Sequence, residues 1–201
     1  MRIDLLRHGA CSGGSIFRGQ IDAPLTDEGW KQMSRGLEAL AGPWDRIVTS
    51  PLHRCQAFAT QLGLDKKLPV SSSAGIREIG FGEWEGQPVN KIWTEQQALC
   101  DLWSREPDKH SPPSGEPFTS FRSRVLLTMR DLSVRYKGKS LLLITHGGVI
   151  KLMLTIANGW SPSQMISLQV GYGFAASMEY DCTSETFAIP YPEQSTYVYR
   201  P

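Results

Sequence analysis

Two apolar runs each break off on a histidine followed by glycine. Ile3-Asp4-Leu5-Leu6 leads into Arg7-His8-Gly9, and Leu141-Leu142-Leu143-Ile144-Thr145 leads into His146-Gly147-Gly148. The chain holds only four histidines, so a context shared by two of them is informative. Short apolar runs bounded by glycine read as buried strands. When such strands alternate with helical stretches they build a parallel sheet covered on both faces. Ligands bind outside the carboxyl ends of the strands in sheets of this kind. If the two runs are parallel neighbours, His8 and His146 emerge on the same edge although they lie far apart in the chain.

The remaining pattern fits that frame. Thr26-Asp27-Glu28 opens a helix with a capping hydroxyl and two acids in its first turn, running to about Ala41 before Gly42-Pro43. Residues 46–49 read as a second strand. Ser50-Pro51 predicts a helix with Ser50 as N-cap and Pro51 in the first helical position, ending at Gly63. Residues 69–73 read as a third strand, 118–136 and 148–157 as helices, and 174–180 and 186–189 as β-like runs. The last of these offers a sheet edge that pairs between subunits in a homodimer. The polar tail after Pro190 is expected to be loosely ordered. The sum is an α/β three-layer sandwich with a largely parallel central sheet. It forms one domain over residues 1–201, with a small irregular or helical insertion at about 74–116 covering the site.

Composition narrows the partners. Lysine and arginine nearly balance the acids, for a formal net charge of +1, which argues against a nucleic-acid or membrane-surface protein. No apolar stretch approaches the ~20 residues of a membrane span. The first apolar run is interrupted by Asp4, which does not suit a signal peptide. Cys11, Cys55, Cys100 and Cys182 have no CxxC spacing, so free thiols in a cytoplasmic protein are expected.

The chemistry concentrates at strand ends. A guanidinium beside an imidazole, as in Arg7-His8, suits a phosphate: arginine supplies paired donors and the imidazole a lone pair. Gly9 lets backbone come close to a ligand. Arg54, in Ser50-Pro51-Leu52-His53-Arg54, lies in the first turn of a helix, where its charge opposes the dipole, so an anion or a neighbouring carboxylate must offset it. His53 reads as a surface residue. The stretch from Ile76 to Gly86 carries Glu78, Glu83 and Glu85 among glycines and aromatics. A carboxyl against an apolar wall serves as a general acid, and the residues alone do not choose among the three.

Three rival chemistries fail on spacing. Cys11 and Arg18 are one residue too far apart for a C-x5-R phosphatase. Ser15 stands where a P-loop needs lysine. His8 and Cys11 lack a second ligand pair for zinc. Cys11 itself reads as either a reactive thiol near the site or a buried inert one. Trp84, Trp93 and Trp103 read as core of the insertion, or as a stacking surface for a flat ligand.

Arg7-His8-Gly9, Ser50-Pro51-Leu52-His53-Arg54, Arg77-Glu78 with Gly82-Glu83-Trp84-Glu85-Gly86, and Thr145-His146-Gly147-Gly148 occur in this order. Together they resemble the histidine phosphatase superfamily, the phosphoglycerate mutase-like group, over about residues 1–160. The resemblance implies a metal-independent phosphomonoesterase with no cofactor, acting on a small phosphorylated substrate. It implies that His8 is the nucleophile and becomes a phosphohistidine. Arg7, Arg54 and His146, with Gly147 at the corner, hold the phosphoryl oxygens. Glu78 protonates the leaving alcohol and then activates water. Ala10-Cys11-Ser12 and Gly14 depart from the family pattern, so one phosphate contact falls to Ser12, Ser15 or Arg18. Those departures also admit a binding module without turnover, against which the retained Glu78 speaks. Residues 87–113 lack the basic segment of the mutases, which favours a phosphatase over a phosphoglycerate mutase. Pro113-Ser114-Gly115-Glu116-Pro117-Phe118, followed by Phe121-Arg122-Ser123-Arg124-Val125, resembles the alpha-ribazole phosphatase branch of cobalamin synthesis.

Overall fold

The computed structural model describes residues 1–189 and 198–199. Strands β1 (Arg2–Arg7) and β4 (Ser140–Thr145) are parallel neighbours in register, from Arg2 opposite Ser140 to Arg7 opposite Thr145. Both runs are buried on two faces, which is why they read as unbroken apolar stretches. Successive side chains alternate across the sheet. Ile3, Leu5, Leu141 and Leu143 enter the larger core, while Leu6, Leu142 and Ile144 enter the smaller one. Asp4, inside β1, is paid for by hydrogen bonds from Trp44 Nε1 at 2.7 Å and Arg2 Nη2 at 3.0 Å.

β2 (Arg46–Thr49) lies parallel to β4 on its other side, and β3 (Val70–Ser72) lies outside β2. β6 (Ala175–Asp181) runs antiparallel along β1, and β7 (Thr186–Ala188) forms the far edge. The sheet order is β3-β2-β4-β1-β6-β7, and β5 (Leu168–Gln169) pairs separately with β8 (Val198–Tyr199). The sheet is therefore mixed: β3, β2, β4 and β1 are parallel, β6 runs against them, and β7 turns back along β6 in an antiparallel pair. Helices α1 (Asp27–Glu38) and α2 (His53–Lys66) cover one face through Met33, Phe58 and Leu62. Helices α5 (Phe118–Arg135), α6 (Gly147–Ala157) and α7 (Pro162–Ser167) cover the other through Phe121, Met129, Ile150, Met153 and Met165.

Between β3 and α5 the chain makes two short 3-10 turns, Ala74–Ile76 and Gly82–Trp84, and the helices α3 (Val89–Glu95) and α4 (Gln97–Arg105). This stretch has a core of its own, in which Phe17, Trp84, Ile92 and Cys100 are buried. Trp84 is wholly enclosed, with Phe17 at 5.1 Å and Trp103 at 5.5 Å between ring centroids.

Three boundaries differ from the sequence expectation by more than one residue. α1 ends at Glu38, short of Ala41. α2 begins at His53, because Leu52 stays extended at φ −66° and ψ 134°. Ser50 is therefore not its N-cap; the amide of His53 donates instead to Asp22 Oδ1 at 2.7 Å, a cap lent by a distant loop. α2 then runs through Gly63 to Lys66. Gly63 is a point of close approach rather than a stop: a Cβ there would lie 2.3 Å from Val70 Cγ2. The expectation of a loosely ordered tail after Pro190 falls on residues 191–197 and 200–201, outside the described residues, and on Val198–Tyr199, which form β8. Among the described residues, no helix is long and apolar enough to cross a membrane.

Candidate active site

The parallel pairing of β1 with β4 delivers what the opening pattern required. His8 and His146 leave the same end of the sheet, and their rings meet edge to face with centroids 5.2 Å apart. Both are buried. His8 Nδ1 lies 2.8 Å from Gly9 O. A carbonyl can only accept, so Nδ1 carries the proton and Nε2 keeps its lone pair. Burial, followed by the charges of Arg7 and Arg54, holds the His8 imidazole well below its ordinary range. Burial and then His8 and Arg54 do the same for His146. Both rings are therefore neutral at neutral pH.

His146 is fixed by a second set of bonds. Arg54 Nε donates to its Nδ1 at 3.3 Å. That assigns the ring proton to Nε2, which donates to Ser50 Oγ at 2.7 Å. The Ser50 hydroxyl, expected to cap a helix, is thus engaged with an imidazole.

Arg54 is buried, and its terminal nitrogens reach back to the first loop, donating to Ile21 O at 2.8 Å and Gly19 O at 2.7 Å. Arg18 donates from Nη2 to Ser12 O at 2.6 Å and Gly14 O at 3.1 Å. Arg7 donates to Val170 O and lies 4.5 Å over the Tyr172 ring. The Nε atoms of Arg7 and Arg18 are buried without a hydrogen-bond partner among the described residues. Gly147 is needed at the β4–α6 corner: a Cβ there would come within 3.1 Å of Arg7 Nε.

Glu78 is set by backbone. Its Oε1 accepts from the amide of Ile79 at 3.0 Å, and its Oε2 from the amide of Gly148 at 3.2 Å. The second bond fills a free donor in the first turn of α6. The other two carboxylates are engaged elsewhere. Glu83 accepts from Ser114 Oγ, and Glu85 from the amides of Gln20 and Phe81.

These groups surround one cavity of about 420 Å³. Arg7, His8, Arg18, Arg54, Glu78, Gly147 and Gly148 line it, so the structure brings together most of the residues named from sequence. His146 stands behind His8 rather than on the wall. Ser12 is exposed and meets the site only through its carbonyl, which holds Arg18. Gly14 likewise contributes a carbonyl to Arg18. His53 is exposed, as its isolated position suggested. Cys11 is buried, its Sγ 3.7 Å from His8 Nδ1 and its thiol pushed up chiefly by burial. Trp93 and Trp103 pack on the insertion's core and also face the cavity, with Phe17 and Phe81.

Sequence reasoning missed Lys151, Tyr172 and Arg124. Lys151 faces the cavity from α6, where burial pushes its ammonium down to about 8. A lone charge in an otherwise apolar helix was the available signal. Tyr172 carried none, and Arg124 stood only within the Phe121–Val125 motif, with nothing to tie it to the Glu78 turn, because each acts through a neighbour distant in sequence.

A neutral imidazole, three arginines and a carboxylate on the carboxyl edge of an α/β sheet define a site for phosphoryl transfer, where catalysis rests on positioning and on fixed positive charge. The chain belongs to the histidine phosphatase superfamily (branch 1), whose family pattern matches residues 3–189. It is 28% identical over 176 residues to the adenosylcobalamin/alpha-ribazole phosphatase of Escherichia coli, covering 86% of this chain and 87% of that one. Its fold is similar to the alpha-ribazole phosphatase of Shigella flexneri, with TM-score 0.78 and 25% identity over 94% of both chains. It is also similar to Bacillus stearothermophilus YhfR, with TM-score 0.83 and 25% identity over 94% of this chain and 95% of that one. The enzyme is a phosphatase.

Proposed function

We propose that the enzyme hydrolyses a small phosphomonoester through a phosphohistidine on His8, without a metal. The observation that carries this reading is the His8 tautomer. Its Nδ1–H is committed to Gly9 O, so the lone pair on Nε2 is free at the cavity. In the first step Nε2 attacks phosphorus and the bond to the ester oxygen breaks. Arg7, Arg18 and Arg54 take the charge on the phosphoryl oxygens. Glu78, carrying a proton, gives it to the departing alkoxide. In the second step Glu78, now ionised, takes a proton from water as the water oxygen attacks phosphorus. The P–N bond breaks and inorganic phosphate leaves. His146, held by Arg54 and Ser50, packs against His8 and keeps Arg54 aligned. Gly147 lets Arg7 approach. Ser12 acts through Arg18.

The finer reading is that the ester is alpha-ribazole 5′-phosphate. It is supported by the names of the relatives in Escherichia coli and Shigella flexneri, and by Trp93, Trp103 and Phe81 on the cavity wall. Residues 74–116 then act as a cover over the site within one domain. Four unpaired cysteines fit a reducing, cytoplasmic setting.

Acid-sensitive, base-stable phosphate should be trapped on His8 when the enzyme is quenched during turnover of a labelled ester. A His8→Ala enzyme that traps as much label would refute the mechanism. Alpha-ribazole 5′-phosphate should be preferred in a panel of phosphomonoesters. A flat panel, or preference for 3-phosphoglycerate with transfer instead of hydrolysis, would remove the finer reading.

A further inference from the structure

Lys151 is the only charged residue in α6, whose sequence is otherwise GGVI-LMLTIA. It lies three and four residues beyond Gly148 and Gly147, on the face of the helix that meets the cavity. The steps assigned to His8, the arginines and Glu78 leave it without a role. Its position is costly. Burial strips water from the ammonium, Arg7 repels it, and Glu78 attracts it more weakly than these oppose it. The partial positive charge at the start of α6 is also unfavourable. A structural lysine would be paired with a carboxylate or extended to solvent. Among the described residues, Nζ makes one hydrogen bond, to Ile166 O at 3.1 Å. An ammonium has three donors, so two remain for the cavity.

The cations of the site fall into two groups by their anchors. Arg18 and Arg54 are tied to the carbonyls of Ser12, Gly14, Gly19 and Ile21. Arg7 is tied to Val170, just past β5, and Lys151 to Ile166, in the last turn of α7, so both hold one stretch of chain. That stretch forms a wall of the cavity through Met165, Leu168 and Gln169. A cavity of about 420 Å³ is far larger than a phosphoryl group, and the leaving alcohol must occupy the remainder. Most of what the alcohol meets there is aromatic or aliphatic. Beside Gln169 and Tyr172, Lys151 is the charged exception, one helical turn beyond Gly148, whose amide holds Glu78.

We propose that Lys151 is a specificity-determining residue, whose ammonium hydrogen-bonds an oxygen substituent on the leaving alcohol. The site then takes phosphate esters of sugars and polyols in preference to esters of plain alcohols of the same size. The assignment rests on the phosphatase reading of this cavity, with the phosphoryl group held at His8.

The test compares three ligands: ribose 5-phosphate, cyclopentylmethyl phosphate, which has the ring without its oxygens, and inorganic phosphate. Binding is titrated calorimetrically in His8→Ala enzyme, with and without Lys151→Met. Loss of a hydrogen bond to a charged group should weaken ribose 5-phosphate by about tenfold or more. The other two ligands should change by less than about threefold. Retained phosphate binding reports that the variant is folded. Lys151→Gln, which keeps a donor without the charge, should lie between the two. An equal loss for all three ligands would place Lys151 in the phosphoryl cradle and overturn the assignment. No loss for ribose 5-phosphate would overturn it as well. The phosphatase reading fails separately, if wild-type enzyme does not hydrolyse p-nitrophenyl phosphate while the binding difference stands.

Discussion

At the scale of single residues, the two buried imidazoles set an acid limit on stability and, in the proposed mechanism, the chemistry. Each is held neutral well below its ordinary range by burial. In the unfolded chain both take up protons near the usual value of about 6.5. Above that pH neither state binds a proton, and the pair contributes no slope. Below it the unfolded state binds more protons than the native state, so stability falls as pH falls. Urea midpoints should therefore drop between pH 7 and pH 5.5, and the drop should shrink in His146→Gln. An equal drop in the variant would assign the acid sensitivity to other groups. A second residue-scale prediction separates stability from rate. A Cβ on Gly148 would lie 2.3 Å from Glu78 Oε1, so Gly148→Ala displaces the carboxylate. The change does not disfavour the helix, since alanine exceeds glycine by up to about 1 kcal/mol in helix interiors and Gly148 lies in the first turn. Turnover of esters with poor leaving groups should fall by about tenfold or more, with no loss in thermal midpoint. A fall in both would mean that the helix start, not the carboxylate, was damaged.

At the scale of elements, a residue of α5 governs the turn that carries Glu78. Arg124 donates to the carbonyls of Gly75 and Arg77, each at 2.8 Å, and of Glu78 at 3.0 Å. It also clasps Glu116 through two bonds of 2.6 and 2.7 Å, and Glu116 in turn accepts from the amide of Gly80 at 3.2 Å. Arg124→Met should cost about 3 kcal/mol in urea unfolding, the low end for removing one partner of a buried ion pair, since this pair keeps some exposure. It should slow hydrolysis of an alkyl phosphate more than that of p-nitrophenyl phosphate, whose leaving group needs no proton. Equal slowing of the two would show that Arg124 supports the fold without placing Glu78. The elements themselves were largely legible. β1 and β4 announced themselves by their apolar runs, and α1 by its cap. Where the reading slipped, a tertiary partner had replaced a local one. Ser50 looks like an N-cap from its neighbours, yet its hydroxyl is claimed by His146, and Asp22 caps the helix instead. Gly63 looks like a stop, yet Val70 needs the space.

At the scale of the whole molecule, the site is assembled from stretches that meet only when the sheet is complete. The loop after β1, the start of α2, the turn before Ile79, the start of α6 and the segment after α7 each contribute a wall. Sequence could name His8, Arg7, Arg54, His146 and Glu78, because each sits beside a strand end or within an ordered motif. It could not reveal that His146 would stand behind the wall, or that Arg18 would serve through loop carbonyls. Those facts depend on which backbone oxygens the closed loop presents. Three arginines and a lysine face one carboxylate across the cavity, and two guanidinium Nε atoms lack partners among the described residues. The empty enzyme therefore folds against its own repulsion. An anion that binds only the folded state stabilises it by mass action, about 2.7 kcal/mol at a concentration one hundred times its dissociation constant. Inorganic phosphate should raise the thermal midpoint in a saturable way, and sodium chloride at equal ionic strength should not. A matching rise with chloride would reduce the effect to general screening. The choice of buffer is then part of the chemistry. A phosphate solution that preserves this enzyme on the shelf occupies its site and slows it in the assay.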